Sequence, residues 1–134
     1  METDLIISEI DAIHKRIDQA LEQKDSNIYL FNFDEEIAYK KADGTILTKA
    51  DLTEEIKRYF KNLKSLSTSH YRIKSSFDDD TFTEKIARKS VVQQSNLLFF
   101  SKRKTTQTEE IYQWKKFGNE WKAVSVEITL EENY

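Results

Sequence analysis

Cysteine and proline are absent from this 134-residue chain, and glycine and histidine occur only twice each. Without cysteine there is no disulfide framework, no thiolate-held zinc or iron–sulfur centre and no thiol nucleophile. His14 and His70 are too few for a multi-histidine metal site. No glycine-rich phosphate loop, nucleophile elbow or metal-ligand spacing occurs either, so no cofactor and no metal are expected. An excess of one charge is also missing. Charged residues make up 34% of the chain yet nearly cancel, to a net −3, which favours neither nucleic acid nor a membrane surface as partner. No apolar run approaches the roughly 20 residues of a membrane helix. The opening METDLIISEIDAIHKR lacks a basic stretch followed by an apolar core, so it does not read as a signal peptide and the cytoplasm is the expected compartment.

Both glycines, Gly44 and Gly118, sit at turn signals, and no internal repeat or low-complexity tract is present. Residues 1–134 therefore read as a single domain with short connections and one core.

The most informative stretch is Ile111 to Ile128, IYQWKKFGNEWKAVSVEI. It predicts two strands joined by a type II′ turn at Gly118-Asn119. Phe117 then pairs with Glu120, Trp114 with Ala123, Tyr112 with Ser125 and Ile111 with Val126. One face carries Tyr112, Trp114, Trp121, Ala123, Ser125 and Glu127; the other carries Ile111, Phe117, Val124, Val126 and Ile128. With apolar side chains on both faces, a ligand cavity on one side and a partner chain on the other are expected.

Upstream, residues 3 to 24 read as a helix whose stripe is Ile6, Ile10, Ile13, Ile17 and Leu21, with Asp11 and Asp18 on the wet side. His14 lies at the stripe's edge, as a partly buried histidine satisfied by a neighbour or as a titrating functional group. Asp25-Ser26-Asn27 breaks the helix and caps a short one over 28–33, expected to be buried. Asp34-Glu35-Glu36 reads as a solvated loop, and 37–41 as a short strand turned back at Asp43-Gly44. Thr48 or Asp51 caps a third helix with the stripe Leu52, Ile56, Tyr59, Phe60 and Leu63.

From residue 70 the pattern is extended. Tyr71, Ile73 and Phe77 fall on one side, with His70, Arg72, Lys74 and Ser76 on the expected solvent side. Asp78-Asp79-Asp80 reads as a reversal. Residues 81 to 100 form the longest extended stretch, with room for a bulge. Phe82, Ile86, Arg88 and Val92 share a side, and Arg88 either snorkels outward or faces a polar pocket. Leu97 to Phe100 suits a central strand buried on both faces. Ser101 to Thr105 reads as a wet connection, its basic cluster too short and too poor in aromatics for a phosphate backbone.

The order of a long helix, a short helix, a small hairpin, a third helix and an antiparallel meander carries a resemblance. With FDEEIAYKKADGTILTKADLTEEIKRYFKNL in the middle and WKKFGNEWKAV near the end, the chain resembles the nuclear transport factor 2-like superfamily, with its SnoaL-like branch nearest. The resemblance implies an α+β, cystatin-like cone. Three N-terminal helices would pack in the concave side of a curved, mainly antiparallel sheet, leaving a cavity at the open end. It also implies dimerisation through the convex sheet face, here Ile111, Val124, Val126 and Ile128. The superfamily's steroid isomerases use an aspartate and a tyrosine where this chain carries Lys41 and Ile17, so that activity is rejected. Its dehydratase and epoxide-hydrolase branches need His/Tyr/Asp or Asp/Arg/Asp groups converging in the cavity.

The leading expectation is a small-molecule-binding homodimer without catalysis, its ligand held by Tyr39, Tyr59, Arg88, Tyr112, Trp114 and Trp121. The rivals are an acid–base enzyme drawing on His14, Arg88 and Glu127, and a pure association module.

Overall fold

The computed structural model of the chain describes residues 2–94 and 102–134. Helix α1 (Glu2–Gln23) is followed by α2 (Ser26–Phe31), strands β1 (Phe33–Lys40) and β2 (Ile46–Leu47), and helix α3 (Lys49–Lys61). Four long strands complete the chain: β3 (Leu63–Asp78), β4 (Thr81–Gln94), β5 (Lys102–Phe117) and β6 (Glu120–Asn133). The six strands described form one curved sheet in the order β2-β1-β6-β5-β4-β3, antiparallel throughout except where β1 runs parallel to β6. The three helices close its concave side, which is the expected α+β, cystatin-like cone.

The helices form where local signals predict. All five aliphatic residues of the α1 stripe are buried in the core. At the start of α3, the Thr48 hydroxyl accepts the Asp51 amide and the Asp51 carboxylate accepts the Thr48 amide, a reciprocal cap of about 1 kcal/mol. Asp25 caps α2 by accepting the Ile28 amide at 3.0 Å.

Four expectations are corrected. Residues 28–33 are not buried all round: Tyr29, Leu30 and Phe33 point inward, whereas Ile28 and Phe31 are exposed. The Lys122 ammonium lies over the Phe31 ring, 3.3 Å from its centroid. Asp34-Glu35-Glu36 is not a loop but part of β1. Its pairing with β6 jumps from Phe33↔Ala123 to Ala38↔Ser125, and this irregularity accommodates the acids while Ile37 stays in the core. Lys102 to Thr105 are likewise no loose connection, since they pair with β4 from Gln94 to Val91. The third-helix stripe holds at Leu52, Ile56, Phe60 and Leu63, but Tyr59 sits at its exposed edge. The Leu97 to Phe100 strand and Ser101 lie outside the described residues.

The terminal hairpin turns where expected, with Gly118 at φ +64° as the first residue of a type II′ turn requires. Phe117↔Glu120 and Trp114↔Ala123 pair as predicted. Beyond them, Val124 is an extra residue, and the register moves to Gln113↔Ser125 and Tyr112↔Val126. A bulge shifts every later side chain to the opposite face. Val126 and Ile128 therefore enter the core instead of Ser125 and Glu127. The exchange buries two aliphatic side chains, about 1.5–3 kcal/mol each, and avoids burying an unpaired carboxylate. The ribbon does not divide its apolar residues between two faces; the bulge gathers most of them on one.

Candidate functional site

The open end of the cone holds a cavity of about 520 Å³. Its aliphatic wall comes from Ile17 and Leu21 of α1, Leu52 and Ile56 of α3, and Ile128 of β6. Tyr29, Tyr39, Tyr59 and Tyr112 add four phenols, and Arg88 and Glu110 supply charge on the sheet side.

Arg88 does not snorkel. Alternation along β4 puts Phe82, Glu84, Ile86 and Arg88 on the inner face, and Arg88 is only 8% exposed. Its Nη1 donates to Asp18 Oδ1 at 2.6 Å and to Thr68 Oγ1 at 3.0 Å, and its Nε lies 3.5 Å from Glu110 Oε2. Its Nη2 is buried without a hydrogen-bond partner among the described residues. Burial works against the guanidinium's charge, but the facing Glu110 and Asp18 carboxylates outweigh it and hold the proton more firmly than usual.

Glu110 accepts from the Tyr112 hydroxyl at 2.9 Å and from the Thr108 hydroxyl at 2.6 Å. Burial, reinforced by the Glu110 charge, pushes the Tyr29, Tyr39 and Tyr112 hydroxyls above the ordinary phenol value. They stay protonated near neutral pH and can donate hydrogen bonds.

Behind the cavity, α1 and the sheet share a second polar cluster. His14, fully buried, donates from Nε2 to Glu84 Oε2 at 2.5 Å, and the Trp114 indole donates to the same oxygen at 2.7 Å. Arg72 donates from Nε to Glu84 Oε1 at 2.9 Å and from Nη2 to Asp11 Oδ1 at 2.7 Å. His70 donates from Nδ1 to Asp18 Oδ2 at 2.7 Å. Asp18 thus connects the histidine cluster to the cavity's guanidinium. Burial raises Asp18, yet the His70 hydrogen bond and the Arg88 charge outweigh it, leaving its carboxyl below the ordinary value. Glu84 shows the same balance, with burial opposed by His14, Arg72 and Trp114, and a lowered net result.

Against the predicted site, Tyr39, Tyr59, Arg88 and Tyr112 line the cavity. Trp114 does not; it is wholly buried against Glu84. Trp121 donates to Glu9 Oε2 at 2.8 Å and borders a separate shallow depression. Of the three catalytic candidates, only Arg88 reaches the cavity. His14 lies behind it. Glu127 is turned to the outer face by the Val124 bulge, where it stands 3.8 Å from Lys40 Nζ and is 45% exposed. Of the convex-face residues, Ile111 and Val124 remain partly exposed, whereas Val126 and Ile128 belong to the core.

His70 is not on a solvent face. The inner side of β3 carries His70 and Arg72 because Asp18 and Asp11 of α1 face them, and Tyr71 and Ile73 are left outside. The sequence reading also missed Glu110 and Glu84. The signal was alternation: Glu110 precedes Tyr112 and Trp114 at two-residue spacing, and Glu84 stands between Phe82 and Ile86. Ile17 and Lys41 both line the cavity, and the Glu55 carboxylate, 2.8 Å away, holds the Lys41 proton above its usual strength. Neither replaces the steroid isomerases' tyrosine and aspartate.

No protein-family model and no curated protein matches the sequence. Solved structures do match in shape. A protein described as a candidate scytalone dehydratase from Novosphingobium aromaticivorans superposes with a TM-score of 0.86 at 12% identity, over 99% of this chain and 91% of that one. A nuclear transport factor 2-like superfamily protein from Salmonella enterica gives 0.81 at 13% identity, over 94% and 91%. A candidate aromatic ring hydroxylase, also from N. aromaticivorans, gives 0.76 at 14% identity, over 94% and 91%. At such identities the likeness is one of fold, and the fold of this chain is the cone of the nuclear transport factor 2-like proteins.

Proposed function

We propose that this chain is a cytoplasmic homodimer whose cone cavity binds a small, partly apolar molecule. The supporting observation is the cavity's make-up: aliphatic and phenolic walls around the buried Arg88 guanidinium, whose Nη2 has no partner among the described residues. Ligand sites are commonly built this way, with few polar groups placed among apolar ones. The test is to fill the cavity. Ile128→Trp, on its wall, should keep the fold by circular dichroism yet lose the thermal shift that a bound compound produces. Equal shifts in both proteins would place binding elsewhere.

A second reading, an acid–base enzyme, has support from Asp18, Arg88 and Glu110. They form a carboxylate–guanidinium–carboxylate group at the cavity, with protonated phenols of Tyr29 and Tyr112 beside it. That grouping differs by one residue, Glu110 in place of an aspartate, from the Asp/Arg/Asp set of the superfamily's epoxide-hydrolase branch. Turnover of a small epoxide by the wild type, lost in Glu110→Gln, would support it, and an inert wild type leaves the binding reading.

For the dimer, the outer sheet face offers Tyr71, Ile111 and Leu130 rather than Val126 and Ile128. Sedimentation of the wild type and of Ile111→Lys tests it. A monomer at micromolar concentration in the wild type sinks that half of the proposal.

A further inference from the structure

We infer that the cavity takes a molecule polarised from side to side. Hydroxyl or carbonyl groups along one edge lie on the sheet, and an apolar opposite edge lies against the helices. This rests on the binding role proposed above and names the ligand class.

The sheet side supplies the first half. Two adjacent rungs of its inner face are polar across β4, β5 and β6 and line the cavity. Ser90, Thr106 and Asn133 stand side by side in one, and Arg88, Thr108 and Glu131 in the other. Alternation along β5 adds Lys104 before the first rung and Glu110 after the second. Arg88 is almost wholly covered, but Ser90, Thr106 and Thr108 are only half-buried and Asn133 is exposed, so a ligand reaches them. Their mutual hydrogen bonds leave capacity. Thr106 donates to Asn133 Oδ1 at 2.9 Å, which leaves the Asn133 amide protons and the Thr106 lone pairs open. Thr108 donates to Glu110 Oε2 at 2.6 Å and keeps its lone pairs too. Donors and acceptors thus lie together on this floor, and a hydroxyl can use both.

The helix side supplies the second half. Leu21 of α1 and Leu52 and Ile56 of α3 face the same space. A hydroxyl turned toward them gives up its water and gains no hydrogen bond in return. The polar groups on this side are few among the described residues: Glu55, held by Lys41 at 2.8 Å, Tyr59 at the exposed edge, and the Tyr29 hydroxyl. Charge does not set the preference, because the signs are interspersed. Lys104 and Arg88 share the floor with Glu110 and Glu131, and Lys41, Glu55 and Asp43 border the same cavity.

Two neutral isomers isolate the polarity from size and charge: naphthalene-2,3-dimethanol, with both hydroxyls on one edge, and naphthalene-2,6-dimethanol, with them on opposite edges. Each is titrated into the wild-type protein by ¹H–¹⁵N NMR. The one-edged isomer should bind about tenfold tighter, the effect of one more hydrogen bond made and one fewer hydroxyl stranded. Thr106→Val, which keeps the shape and removes a floor hydroxyl, should narrow the gap to about threefold or less. Equal affinities, or a tighter two-edged isomer, overturn the inference and leave the binding reading intact. A tenfold gap that persists in Thr106→Val overturns it as well, since the floor would not be its source. Binding of neither isomer overturns both readings. Should Thr106→Val fail to fold by circular dichroism, Ser90→Ala on the same rung takes its place.

Discussion

The rings of His14 and His70 stand 5.0 Å apart, centroid to centroid, yet each is bonded to a different carboxylate, Glu84 and Asp18. Neither histidine reaches the cavity wall. They act through those two acids, one anchoring Arg72 and Trp114 and the other Arg88.

Acid stability should report this arrangement. Glu84 and Asp18 are both held below their ordinary values of 4.5 and 3.8. A carboxyl depressed in the folded state adds stability above its unfolded value and loses it as pH falls through the folded one. Thermal midpoints should therefore drop as pH falls below about 4.5, the unfolded glutamate value. Glu84→Gln should flatten that acid limb, measured by calorimetry between neutral pH and pH 3. An unchanged limb would mean that the buried pairs do not govern it.

Trp114→Phe tests the same acid from the sheet side. The indole is fully buried and donates to Glu84 at 2.7 Å, so the variant leaves a void and takes away one of the two donors to Glu84 Oε2, His14 being the other. A loss of about 2–4 kcal/mol in urea denaturation is expected. A loss below about 1 kcal/mol would show that Glu84 is satisfied without it.

Removing Arg88 should cost more than removing either of its partners' charges. Arg88→Met leaves the buried Glu110 and the partly exposed Asp18 without their guanidinium, and breaking a buried pair from one side typically costs about 3–5 kcal/mol. Adding Glu110→Gln should recover part of that loss, and strict additivity in the double-mutant cycle would deny the coupling.

The Val124 bulge is the next target. Deleting Val124 would close that bulge, turning Val126 and Ile128 outward and Glu127 toward the core. A loss of about 5 kcal/mol, or failure to fold, is expected. Val124→Ala keeps the register at a partly exposed site and should cost only about 1 kcal/mol. Comparable losses in the two variants would remove the bulge's assigned role.

At the hairpin turn, Gly118 has φ +64°, and an added Cβ would meet nothing within 4 Å. Gly118→Ala should therefore cost only backbone strain, about 1–2 kcal/mol. A neutral result would mean that the turn relaxes to another type.

Much of the fold was legible in the residues themselves, because its determinants are local. The aliphatic stripe of α1, the reciprocal cap at Thr48, the reversal at Asp78 to Asp80 and the turn at Gly118 each depend on neighbours within a few positions. Their order along the chain was enough to suggest the cone. The site was only half legible. Tyr39, Tyr59, Arg88 and Tyr112 were named from the sequence, whereas Glu110 and Glu84 were passed over and His70 was assigned to the solvent side. Whether a charged residue on a strand faces water or the interior depends on what lies opposite, and Asp18 and Asp11 lie more than fifty positions away from the side chains they hold. The bulge at Val124 is the same kind of fact. Composition says how much apolar surface β6 must hide, but only packing against the helices decides which face hides it, and one inserted residue moved Glu127 out of the site and Ile128 into it.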